Sequence, residues 1–370
     1  MSPIRAAVPS FFLARRLLRR HGSRIEFARY AYFTLFAAKR ALVDAEFRDL
    51  IVTDLFYYQP VAIKLAALAR TDEDMLGRLL PLVEEELADM VSPGSPYELT
   101  PLITIDEMPQ LEETTASGGE LEPATSDELE FPESNSAGSF GLVKADMTST
   151  ARMHRTLWLV SSVLRDLDQV ENLELKRRTL VELLELWGRF ITVLSADASL
   201  ADLRSAVTRH LQTSGDSSEE SDEKLEDFLG RSIPAGVAIG GIEMTLSSPK
   251  LASVFDVALS SGGLRRSNEC VTASLLLLFL LRSPGWAMKA ATLVDQAEAT
   301  WVLTHFFHAL CQDAYAQGGA PEDELLALCK ALYLKQQTFT SADIRSAHLD
   351  QYTQRLRTER AKTRHSRHPA

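Results

Sequence analysis

The segment Gly262–Met288, GGLRRSNECVTASLLLLFLLRSPGWAM, limits what this chain can fold into more than any other stretch. It opens with a Gly-Gly break and the basic pair Arg265 and Arg266. From Cys270 to Leu281 it carries no charge, and Leu275–Leu281 is an unbroken apolar run. A helix that is apolar on every side has no face to offer water, so it is buried in protein or in lipid. Its twelve residues rise about 18 Å at ~1.5 Å each, well short of a ~30 Å hydrocarbon layer. The expectation is a central core helix. The alternative is a helix half-sunk in a membrane; a simple span is excluded.

A core helix needs other helices around it, and the sequence supplies them. Apolar residues recur at helical spacing in Leu157, Val160, Leu164 and Leu167, and again in Leu180, Leu183, Leu184, Trp187, Ile191 and Leu194. Thr71-x-x-Asp74, Ser199-x-x-Asp202, Ser248-Pro249, Ser283-Pro284, Pro321 with the acids after it and Thr340-x-x-Asp343 read as helix starts. The Gly262-Gly263 and Gly318-Gly319 pairs read as stops. Residues 24–91 read as wholly helical, and a long helix is predicted from Pro284 to about Gln317. No sustained alternation of period two marks a sheet. The fold class predicted is all-α, a multi-helix bundle of two helical parts with a long disordered acidic insertion.

Composition sets the boundaries of those parts. The formal net charge is −12, yet residues 92–143 hold eleven acids and no base. That stretch is also rich in Ser, Thr, Pro and Gly, too poor in apolar surface to order itself. The predicted organisation is an N-terminal helical part over residues 1–91, a disordered acidic linker over 92–148, a C-terminal helical part over 149–353 and a basic tail over 354–370. A second acidic loop is expected over Ser214–Lys224. Three cysteines, Cys270, Cys311 and Cys329, lie inside apolar patterns without metal spacing and read as buried thiols.

The N-terminus is basic. Arg5, Arg15, Arg16, Arg19, Arg20 and Arg24 precede the first acid, Glu26. Residues 9–21 read as a short amphipathic helix with Arg15, Arg16, Arg19 and Arg20 on one face and Phe11, Leu13, Leu17 and Leu18 opposite. That pattern suits an anionic membrane surface, where cations meet headgroups and apolar side chains sink beneath them. A mitochondrial transit peptide and an ordinary surface helix share the same features. No secretory signal is recognisable.

Candidate chemistry is thin. Glu298, His305, His308 and Cys311 fall on one face of the predicted helix, but no Glu-x-x-His pair exists to complete a di-metal bundle site, and their neighbours are aromatic and aliphatic. Arg204 and His210 have a spacing used by some helical ribonucleases, a pattern short enough to arise by chance. Gly236-x-x-x-Gly240-Gly241 lacks the Lys-Ser/Thr of a phosphate loop and reads as close helix packing. No nucleophile elbow, Walker loop, Cys-x-x-Cys or dinucleotide fingerprint occurs. The expectation is a protein that is not an enzyme and holds no metal or cofactor. The basic tail lacks the interleaved aromatics of a single-strand binder, so nucleic acid is not expected as a partner.

The central segment resembles the peroxin-16 family of peroxisomal membrane-biogenesis proteins. The resemblance is carried by Arg265, Arg266, the apolar helix Ala273–Leu280, and Leu280, Leu281, Arg282, Ser283 and Pro284. Pro234–Ser247 is similar to the run that precedes the family's basic cluster. Gly285, Trp286 and Ala287 depart from it, because the family places aromatic residues and an Asp after the proline. The resemblance implies a non-enzymatic helical scaffold at the peroxisomal membrane or endoplasmic reticulum that recruits membrane-protein import factors of the peroxin-3 type. The alternative is a helical adaptor subunit of a larger complex, mitochondrial or cytoplasmic.

Overall fold

The computed structural model of the chain describes residues 13, 15–21, 24–90, 147–196, 219–260, 262–264, 267–318, 321–337, 339 and 341–367. Among these, the architecture is all-α. Thirteen α-helices and one π-helical segment follow a short N-terminal hairpin. The hairpin is β1 (Leu18–His21) and β2 (Arg24–Phe27). The first helices are α1 (Tyr30–Ala41), α2 (Ala45–Thr53), α3 (Gln59–Leu68) and α4 (Glu73–Met90). Then come α5 (Ser149–Asp166), α6 (Leu173–Ala196), α7 (Glu219–Thr245), α8 (Pro249–Ser260) and α9 (Asn268–Leu281). The last are α10 (Trp286–Gln296), the π segment Val302–Phe307, α11 (His308–Gln317), α12 (Glu322–Gln336) and α13 (Ala342–Arg367).

Helix α9 is the centre, as its composition predicts. Every residue from Cys270 to Phe279 is buried. It packs against α6, α7, α10 and the π segment. Ser267 starts it: its Oγ accepts from the Cys270 N–H at 3.2 Å and donates to the buried carboxylate of Glu185 on α6. The crossing with α6 is closest at Gly188, where an added Cβ would lie 2.1 Å from the Glu269 carbonyl oxygen. Gly241 on α7 makes a similar approach, since its Cβ would sit 2.4 Å from Cη2 of Trp187. That indole donates to Ser161 Oγ at 3.1 Å. The packing role read from the glycine run therefore holds at Gly241, while Gly236 and Gly240 face open space.

The α5–α6 pair divides the molecule into two sides. Helices α3 and α4 pack on one side, and α7, α8 and α9 on the other. A single apolar core runs through both, from Ala38 to Leu356. Polar ties reinforce the junction. Arg70 Nε donates to Asp168 at 2.7 Å, and Arg152 Nε donates to the buried Glu86 at 3.0 Å. The Arg70 contact holds the Asp168 carboxyl below its ordinary pKa.

Five expectations change. Leu13 is helical, but the amphipathic helix predicted over residues 9–21 does not continue through Arg16 to residue 21. Arg16 takes a left-handed φ of 57°, and β1 follows two residues later. Arg15 and Arg16 therefore precede a strand that contains Arg19 and Arg20, paired in register with Glu26 and Ile25. A left-handed residue ends a right-handed helix, so the four arginines do not share a helical face. Residues 24–27 are likewise strand and not helix. The sequence between the strands is Gly22-Ser23, a dipeptide of the two-residue hairpin class.

The helix predicted from Pro284 to Gln317 is broken. Gly285, at φ 72°, precedes its start at Trp286, and the chain leaves helical geometry after Gln296. The acids Glu219, Glu220, Asp222 and Glu223, read as loop, open α7, where carboxylates near a helix N-terminus are favoured. Asp72 and not Thr71 caps α4, accepting from the Met75 N–H at 3.0 Å. The acidic linker lies outside the described residues apart from Met147 and Thr148, and Thr148 caps α5 by accepting from Ala151 at 3.3 Å. Arg204 and His210 also lie outside them.

Candidate functional sites

The first site is the N-terminal corner. Helix α1 turns Thr34, Ala38 and Ala41 inward and packs on α3. Its other side carries Phe33 and Phe36, each 36% exposed. The Phe27 ring at the end of β2 stacks on Phe36 at 5.6 Å and meets Phe33 edge-on at 5.9 Å. Tyr30 adds a fourth ring, 6.0 Å from Phe33. Leu42, Val43 and Leu50 at the end of α1 and on α2 are also exposed, Val43 to 87%. The same N-terminal elements carry the exposed cations Arg15, Arg16, Arg29, Lys39 and Arg40. Arg40 is engaged with Asp44 at 2.9 Å. The Asp44 carboxyl is held below its ordinary pKa, first by the Phe47 N–H and then by Arg40. Aromatic rings edged by arginine and lysine suit a water–headgroup boundary, where the rings sit among polar headgroups and the cations meet phosphate.

The second site is the turn after α9. Leu280 and Leu281 are half-buried against the core. Arg282 adopts left-handed geometry, φ 46°, and its N–H donates to the Leu278 carbonyl at 3.0 Å, closing the helix. Its guanidinium lies 5.1 Å from the centre of the Phe279 ring. The Ser283 carbonyl accepts from Trp286 N–H at 2.9 Å. Phe279 meets Trp286 and Phe307 edge-on at 5.6 and 6.2 Å. Leu280, Leu281, Arg282, Ser283 and Pro284 thus build the reversal between α9 and α10. Gly285 at positive φ and the buried Trp286, the residues that depart from the family pattern, complete it. Arg265 and Arg266 lie outside the described residues.

The third site was legible only as scattered residues. The π segment re-phases the chain between Trp301 and His308, and insertions of this kind are frequent at functional positions. His305 stacks on Trp301 at 5.5 Å, with Nδ1 3.0 Å from Thr304 Oγ1 and Nε2 3.2 Å from Gln336 Nε2. His308 Nε2 lies 2.6 Å from Tyr352 Oη, and Gln312 Nε2 donates to the same hydroxyl at 3.0 Å. With Gln312 donating, the tyrosine hydroxyl donates in turn to a neutral His308. Tyr333 stacks on Tyr352 at 4.3 Å.

Burial dominates the titration here. It pushes His308 down to about 4, with a partial offset from the Thr304 carbonyl. It also raises the Tyr352 hydroxyl and the Cys311 thiol, and lifts Cys329 to about 12. Thiols held neutral in this way are poor nucleophiles and poor metal ligands. Glu298 does not join the histidines; it accepts from Asn268 at 2.9 Å. Among the described residues no group of three or more His, Cys, Asp or Glu is disposed to hold a metal ion. At neutral pH the cluster is an uncharged hydrogen-bonded clasp between α11 and α13.

Compared with protein-family profiles, curated proteins and solved structures, the chain matches none.

Proposed function

We propose that this protein is a non-enzymatic helical scaffold that attaches to an anionic membrane surface through its N-terminal corner and recruits protein partners there. On this reading the resemblance to peroxin-16 points to the peroxisomal membrane or endoplasmic reticulum, with import factors of the peroxin-3 type as partners. The observation that carries the reading is the Phe27–Phe33–Phe36 ring cluster, together with the exposed cations Arg15 and Arg16 in the turn before β1. Each Lys or Arg near an anionic surface contributes about 1 kcal/mol, and aromatic rings favour the headgroup level. No helix among the described residues is long and apolar enough to cross a membrane. Peripheral attachment therefore fits the reading better than insertion of α9, whose surface is already covered by protein.

Flotation of the full chain with vesicles tests it. Binding to phosphatidylserine vesicles, weaker binding to phosphatidylcholine vesicles, and loss of binding in Arg15→Glu/Arg16→Glu and in Phe33→Ser/Phe36→Ser support the reading. A chain that ignores both vesicles yet keeps a protein partner in both double variants is instead the helical adaptor subunit, mitochondrial or cytoplasmic.

A further inference from the structure

Helix α13 is a mostly polar helix of 26 residues. It rests on α11 and the adjacent face of α12. Tyr352, Thr353, Leu356 and Arg360 are its buried residues, all on one seam. Tyr352 is held by His308 and Gln312. Arg360 lies 4.8 Å over the Tyr315 ring, with Nη1 3.5 Å from Glu322. A helix fixed by so few side chains separates from its seat more readily than one set into the core.

We propose that this seat is an acid-sensitive latch, in which protonation of His308 inside the α11–α13 seam releases α13 and uncovers the groove beneath it. The proposal stands apart from the membrane reading. Neutral His308 accepts the Tyr352 proton, whereas a protonated imidazole can only donate, so the hydroxyl must turn to accept and its own proton gives up its acceptor. Among the described residues, the charged groups acting on His308 include no carboxylate. The π segment contributes the Thr304 carbonyl and His305, and α11 contributes Gln312 and Cys311. Helix α12 contributes Cys329, Tyr333 and Gln336. Helix α13 contributes Tyr352 and Arg355, and the latter's acidic partner, Glu359 at 3.5 Å, lies further along the same helix. The charged groups acting on His308 are thus cationic, and a buried unpaired charge is relieved by opening to water.

His305 borders the seam and also faces Gln336 of α12, whereas His348 meets Phe339 at 5.8 Å on the exposed side of α13. Release bares Tyr315, Cys329, Tyr333 and His308, a groove whose present occupant has Tyr352, Leu356 and Arg360 at four-residue spacing. The partner this groove fits is a helix with that same spacing.

Hydrogen exchange of the full chain at pH 7.5 and pH 5.0, corrected for the intrinsic rate, tests the latch. An imidazole shifted from 6.5 to about 4 lowers α13 protection about 30-fold at pH 5. Protection of α9 stays unchanged. In His308→Gln, whose amide oxygen still accepts from Tyr352, α13 stays protected at both pH values. Tyr352→Phe frees α13 at pH 7.5 without acid, an arm that does not depend on the glutamine variant folding. Unchanged α13 protection in the native chain at pH 5, parallel loss in α9, or a normally protected α13 in Tyr352→Phe overturns the proposal.

Discussion

Replacing Gly188 by alanine puts a Cβ 2.1 Å from the Glu269 carbonyl oxygen, 2.4 Å from its carbon and 2.6 Å from its Cα. All three atoms are backbone, so no side chain can swing aside. Relief requires α6 and α9 to move apart by about 1 Å, the gap between these distances and ordinary van der Waals contact. Overpacking of this kind costs about 1–3 kcal/mol. The shift also strains the Ser267 cap and its bond to Glu185 on the same turn, worth about 1 kcal/mol more. Against this stands the gain of about 1 kcal/mol from replacing glycine inside a helix. The net expectation is a loss of about 1–3 kcal/mol, read as a lower urea midpoint by far-ultraviolet dichroism. Gly77→Ala is the matched control. Gly77 is exposed inside α4 with no atom within 4 Å of the added Cβ, so it gains about 0.5–1 kcal/mol. Opposite signs at two helical glycines report the close crossing. If Gly188→Ala raises the midpoint as Gly77→Ala does, α9 is not seated against α6 as described.

Three other outcomes follow from the same contacts. His308 is depressed to about 4, so the unfolded chain binds its proton more tightly. The stability it contributes is complete above about pH 6.5 and is lost as pH falls towards 4, about 3 kcal/mol in all; urea midpoints across pH 7.5 to 4 check this, and His308→Gln removes that share of the slope. Glu86→Ala leaves Arg152 with Asp89 alone and Thr156 Oγ1 without its acceptor, costing about 2–3 kcal/mol in thermal or urea unfolding. Gly285→Ala forces a side chain into φ 72°, at a cost of about 1–2 kcal/mol in the same measurement.

The centre of the fold was legible because it rests on one-dimensional signals. An all-round apolar run between Ser267 and Arg282 finds cover at the centre of a helical bundle, and α9 lies there. Ser248-Pro249 before α8 and Gly318 after α11 mark boundaries through backbone geometry that individual residues determine. The hairpin was missed because two four-residue strands are too short to show alternation, and their arginines fit a helical wheel equally well. The close approach at Gly188 was invisible, since nothing in its own segment says which helix will cross it. The His308–Tyr352 clasp joins residues 44 apart in sequence. It depends on the π segment re-phasing α11, an irregularity that a 3.6-residue period conceals. Of the candidate sites, the turn at Leu280–Pro284 was recognised as a motif, but its role in reversing the chain came from Arg282 and Gly285 at positive φ.

The most direct measurement is imaging of a C-terminally tagged full chain in cells that carry a peroxisomal membrane marker and a mitochondrial dye. The account predicts overlap with the peroxisomal marker or the endoplasmic reticulum, lost to a diffuse signal in Arg15→Glu/Arg16→Glu and in Phe33→Ser/Phe36→Ser. A native chain that is diffuse, or that follows the mitochondrial dye, contradicts it.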